Sequence, residues 1–163
     1  CQNAALISFI QGNRPDNLLL IDVICHGVPS QKLFDQYIKE KELEIGKIKK
    51  YEFRNKVPYK GDIDSTTARI TTEKEEFIYS IEEDGYLNAY YKRLNYRPSC
   101  KQCQYAQIER VSDITIGDAW KIERLYPDIN PNVGASVVLA NTILGCTIVN
   151  SLKKHEIRPV SED

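Results

Sequence analysis

The chain has 163 residues, enough for one domain with a real core, and its 22 Lys and Arg against 23 Asp and Glu leave a formal charge of −1. Proteins that grip nucleic acid or anionic membranes concentrate positive charge, so charges that nearly cancel and lie scattered exclude both as the main task. Apolar residues at 42% and charged residues at 28% give an ordinary soluble balance, with no apolar run near the roughly 18 residues a membrane span needs and no signal-peptide pattern at the start.

Residues 2–11 carry Ala5, Ile7 and Ile10 ahead of Gly12, a short helix stopped by glycine. After the turn GNRPDN, the apolar run LLLIDVI (18–24) predicts a strand buried on both faces. It ends in CHGVPS (25–30), with Ser30 as N-cap of a helix whose face is Leu33, Phe34, Tyr37 and Ile38, running to about Gly46. Strand, loop and helix form an α/β unit, and ligands favour the carboxyl ends of such strands. Strands are expected at 47–56, 65–72 and 75–81, the last two joined by a short polar turn. Residues 84–95 predict a helix capped by Asp84, with Leu87, Tyr90, Tyr91 and Leu94 at helical spacing. Residues 96–110 are a loop by composition; 112–118 is a short strand, 134–142 a longer buried strand and 144–154 a closing helix. The expected fold class is α/β, a mixed β-sheet flanked by helices with a cysteine-bearing loop, in a single domain over residues 1–163.

Two counts stand out: five cysteines and no methionine. The missing methionine leads us to expect a chain that begins inside a longer gene product. Five cysteines are too sparse for a disulfide scaffold, and an odd number cannot all pair internally, so reduced thiols in a cytoplasmic protein are expected. Cys100 and Cys103 form a CxxC whose two-residue gap lets one turn present both sulfurs to one ion, as in zinc and iron–sulfur sites. A thioredoxin-like CxxC would open a helix directly after a strand, and this one sits in a proline-bearing loop. Cys25, beside His26 and Gly27, reads either as a small thiol closing a strand or as a ligand. Cys1 precedes a helix, where exposed amides favour a thiolate. Cys146, inside ILGCTIV, reads as a core residue. The other four, Cys1, Cys25, Cys100 and Cys103, match the count that a 4Fe-4S cluster or an all-cysteine zinc site takes.

In this order the blocks CHGVPS, FRNK, YRPSCKQCQYAQIERVSDITIGDAW and GASVVLANT resemble the C-terminal domain of the coenzyme F-420 hydrogenase/dehydrogenase beta-subunit family, and the opening CQ resembles the end of its Gly-x-Pro-Cys-Gln motif. The resemblance implies a flavin-dependent, iron–sulfur electron-transfer subunit that binds FAD beside a 4Fe-4S cluster. It passes electrons between the cluster and an organic acceptor such as coenzyme F-420. It further implies that Cys1, Cys25, Cys100 and Cys103 are the metal ligands. The implied partners are a redox subunit or ferredoxin-like region, usually present N-terminally in the full-length proteins, and a small organic electron acceptor. Such a fragment is expected to be inactive alone.

A flavin site needs cations or exposed amides for the pyrophosphate and an apolar wall for the ring. Arg54 and Lys56 alternate on one strand face and can meet phosphate, or form a solvated sheet face. Asp118 can accept from a ribose or ring N–H and Trp120 can stack; otherwise they are a capping acid and a core tryptophan. Arg97 and Arg110 flank the CxxC as charges that would raise a cluster's potential, or as loop solubilisers. His26 reads chiefly as a packing residue. The chain departs from the family's usual GDFWG block, with Ala119 and Lys121 around Trp120, and VPYKG replaces an aromatic Gly-Trp after FRNK. The competing reading is a non-catalytic or zinc-holding accessory domain associated with polysaccharide biosynthesis.

Overall fold

The computed structural model describes residues 1–55, 66–129, 135–152 and 157–158. In chain order the elements are helix α1 (Gln2–Phe9), strand β1 (Ile21–Val23), helix α2 (Gln31–Ile45), strands β2 (Ile48–Asn55), β3 (Thr67–Thr72) and β4 (Glu76–Ser80), and helices α3 (Gly85–Tyr91) and α4 (Pro98–Lys101). Strand β5 (Ile114–Asp118), a 3-10 turn (Ile122–Arg124), strand β6 (Ser136–Ala140) and helix α5 (Ile143–Ser151) follow. The chain forms two compact units: residues 1–25 with 104–163, and residues 26–103.

The fold class is mixed α/β as expected, with two small sheets. In the first unit the order is β1-β5-β6, with β1 parallel and β6 antiparallel to β5. In the second the order is β2-β3-β4, antiparallel throughout. The strand and helix read as one α/β unit across residues 18–46 divide between the two units.

In the second unit β3 is central, and Thr67, Ala68, Ile70 and Thr72 are buried along it. The expected polar turn to β4 is built by Thr72, whose hydroxyl accepts from the Lys74 and Glu75 amides. Helix α2 packs on β2 through Phe34 and Tyr37, while Leu33, expected on the same face, is exposed. Phe34, Tyr37, Tyr51, Phe53 and Tyr86 form one aromatic cluster with ring centroids 4.7 to 6.2 Å apart. Each such pair adds about 0.5–1.5 kcal/mol beyond the area it buries. Asp84 is the cap that the sequence predicts for α3: its carboxylate accepts from the Leu87 amide at 2.7 Å and from the Tyr37 hydroxyl at 2.6 Å. Ser30 occupies the N-cap of α2 without a side-chain capping bond.

The first unit is organised around Asp113, which is 1% exposed. Its carboxylate accepts from Arg14, from the Leu20 amide at 2.8 Å and from the Thr142 hydroxyl at 2.7 Å. Thr142 in turn caps α5 by accepting from the Gly145 amide. Asn141 donates to the Ser112 carbonyl and the Thr115 hydroxyl, both at 3.0 Å. The polar ends of SDITIGD and GASVVLANT are thus a buried hydrogen-bonded joint between strand and helix. A Cβ on Gly145 would stand 2.2 Å from the Asp113 carbonyl oxygen, a backbone atom that cannot move aside. Gly145→Ala should therefore destabilise the protein by about 2 kcal/mol through overpacking, visible as a lower midpoint in urea.

Three burial expectations are corrected. In the run 18–24 Leu20 is buried, but Ile21, Val23 and Ile24 are each about half exposed. In β6 Val138 and Leu139 are likewise exposed. A continuous apolar run signals a strand, but whether other elements cover its two faces is a tertiary matter. Cys146 is exposed, not in the core. Helix α5 is apolar on most sides, so its pattern does not mark an inner face; Gly145 seats on Asp113, and the next residue points about 100° away.

Candidate functional site

In the second unit the loop after Cys25 lies along the segment leading into the CxxC. Pro29 bridges Tyr96 in antiparallel fashion, and the Arg97 amide donates to the Val28 carbonyl at 3.0 Å. The Val28 amide donates to the Cys100 sulfur at 3.4 Å. Gly27 makes this approach feasible. Its φ is +121°, and a Cβ there would fall 2.5 Å from the Tyr96 ring, which is itself buried. Cys100 belongs to the four-residue helix α4, opened by Pro98 at a position where a missing N–H costs nothing. This turn replaces the expected uninterrupted loop. Cys100 and Cys103 are half-buried. His26 is exposed rather than packed.

In the first unit Cys1 is the N-cap residue of α1, its carbonyl accepting from the Ala5 amide, and Cys25 follows β1; both are exposed. The two arginines that flank the CxxC differ. Arg97 stands exposed at the N-cap position of α4 in the second unit, without a side-chain capping bond. Arg110, in the first, is largely buried: it donates to Asp22 at 3.0 Å and to the Tyr105 and Val23 carbonyls, clamping its loop to β1.

Asp118 ends β5, and Trp120 two residues later is 74% exposed, so it is not a core tryptophan. Lys121, one departure from the GDFWG block, carries a backbone cost. It sits in the left-handed region at φ 63°, ψ 26°, where the glycine of GDFWG would be unstrained. Lys121→Gly should raise stability by about 0.5–1 kcal/mol, net of glycine's larger unfolded-state entropy, and thermal unfolding would register it. Arg54 lies exposed on β2 in the second unit, and Lys56 lies outside the described residues.

No disulfide joins any of the five cysteines. The four cysteines expected as ligands divide two and two between the units. Among the described residues no three His, Cys, Asp or Glu side chains are grouped as a metal ion would need. The chemistry of the donor set nevertheless suits an iron–sulfur group: soft thiols outside the core, one already accepting a backbone N–H at sulfur. Gly27, Val28 and Tyr96 were the residues that motif reading missed as supports of Cys100. The glycine after Cys25–His26 was the available signal, since glycine marks close backbone approach.

The class defined by these features is an α/β protein with thiol-bearing loops. The chain belongs to the family described as the C terminus of the coenzyme F420 hydrogenase/dehydrogenase beta subunit, whose model matches residues 1–162. The family is one of beta subunits of redox enzymes linked to coenzyme F420. No curated protein matches the chain, and no solved structure does. Among the described residues no helix is long and apolar enough to cross a membrane.

Proposed function

We propose that the chain is the C-terminal part of a flavin- and iron–sulfur-dependent oxidoreductase subunit that passes electrons between a 4Fe-4S cluster, FAD and an organic acceptor of the F-420 type. The family match over residues 1–162 carries this reading, and the four cysteines outside the core support it. When bound, the two groups let single electrons at the cluster exchange with electron pairs at the flavin.

Cys1, Cys25, Cys100 and Cys103 are the proposed cluster thiolates. Arg54 and Lys56 are proposed to neutralise the FAD pyrophosphate, Asp118 to accept from a ribose or ring N–H, and Trp120 to stack. The exposure of Trp120 supports the last role, because an indole already in a core is not free to meet a ring. A cysteine count that is odd and too sparse for a disulfide scaffold supports a cytoplasmic, reducing setting.

The test is anaerobic purification of the full-length protein. It should be brown, carry flavin and about four irons per chain, and lose the iron absorbance in Cys100→Ser. A colourless protein, or one with stoichiometric zinc, would sink the redox reading in favour of an accessory domain of polysaccharide biosynthesis.

A further inference from the structure

We infer that the Val28 backbone amide is a tuning group for Cys100, held at the sulfur by the contact of Gly27 with Tyr96. The inference rests on the reading of Cys100 as a cluster thiolate and goes beyond it by assigning positioning residues. The amide donates to the sulfur at 3.4 Å within the second unit. Two constraints hold it there. The Arg97 amide bonds the Val28 carbonyl at 3.0 Å, fixing the other side of the same residue. That bond belongs to the antiparallel bridge of Pro29 with Tyr96. Gly27 lies so close on the Tyr96 ring that no side chain fits, and its φ of +121° is one that other residues rarely adopt. Val28 is otherwise exposed, so its amide had water available and is directed to sulfur instead.

The consequence follows from charge. A reduced cluster is more negative than an oxidised one, and part of that charge resides on the thiolate sulfurs. An N–H dipole aimed at such a sulfur stabilises the reduced state more and raises the reduction potential. The side chain of residue 28 takes no part; the amide does.

Two measurements decide it. In metal-free protein, hydrogen exchange of the Val28 amide should be about tenfold faster in Cys100→Ala than in wild type, the effect of losing one hydrogen bond; equal rates would overturn the inference. In anaerobically purified full-length protein, Val28→Pro, which deletes the N–H, should lower the potential of the iron signal, whereas Val28→Ala, which keeps it, should leave the potential unchanged. If Val28→Pro does not fold, Gly27→Ala replaces it, since the added methyl drives the loop off Tyr96. Unchanged potentials with a loaded cluster reject the tuning role and leave the cluster reading intact. Iron-free wild-type protein rejects both, even where the exchange difference persists, because the bond is then only structural.

Discussion

Asp113→Asn should lower the stability of the first unit by about 3 kcal/mol, the lower end of the range for breaking a buried ion pair, because Arg14 is about one-third exposed. The carboxylate is nearly fully buried and accepts three hydrogen bonds; asparagine keeps one oxygen and presents a donor to Arg14, Leu20 or Thr142. Loss should spread from the Thr142 cap of α5 to β5, so hydrogen exchange of the β5 amides should accelerate together with a shifted urea transition. The pH dependence has a definite sign. Burial alone would raise the Asp113 pKa, but the bonds from Arg14, the Leu20 amide and Thr142 outweigh it and hold the pKa below the ordinary value of 3.8. A carboxyl depressed in the folded state contributes fully above its unfolded pKa, and that contribution is lost as pH falls through the folded value. The gap between wild type and Asp113→Asn should therefore be constant from neutrality down to about pH 5 and close below about pH 4. A gap that widened in acid would refute the ion-pair account.

The second large effect is expected in the other unit. Asp84→Ala removes the cap of α3 and the acceptor of the half-buried Tyr37 hydroxyl at one stroke. Cap loss costs about 1 kcal/mol and an orphaned half-buried hydroxyl about 1 kcal/mol, the low end of the range for a buried one, so about 2 kcal/mol is expected. Burial first, and then the Asp84 carboxylate, push the pKa values of Tyr37 and Tyr51 far above the usual 10.0. Groups raised in this way contribute stability that is whole below their unfolded pKa and lost as pH rises towards the folded value. The aromatic cluster should therefore weaken above about pH 10. Ultraviolet titration should show these two phenols ionising only as the unit unfolds, and at lower pH in Asp84→Ala. Normal ionisation of all tyrosines in folded wild-type protein would contradict the burial and the hydrogen bond.

Features carried by a few adjacent residues were legible. The Asp84 cap, the turn after Thr72 and the helix ending at Gly46 each follow from hydrogen bonds or dihedrals spanning about four residues. The family blocks were equally readable, because the order of motifs is itself sequence. Other features depended on distant partners. Asp113 reads locally as a polar residue opening a strand; its role comes from Arg14, 99 residues earlier, and Thr142, 29 later. Arg110 reads as a loop charge and becomes a clamp only because Asp22, 88 residues away, faces it. The exposure of Cys146 and of Trp120 was not legible for the same reason: periodicity marks an apolar segment, not which of its sides another element covers.

By itself the sequence determined the α/β class, most element boundaries, the family and the set of candidate thiols, since local dihedral preference and motif order suffice for these. Only the tertiary structure decided that the elements form two units with separate sheets, that Asp113 and Asp84 are their buried polar centres, and that the Val28 amide meets the Cys100 sulfur. Burial and hydrogen-bond partnership are properties of chain segments brought together across tens of residues, and no local pattern encodes which segments will meet.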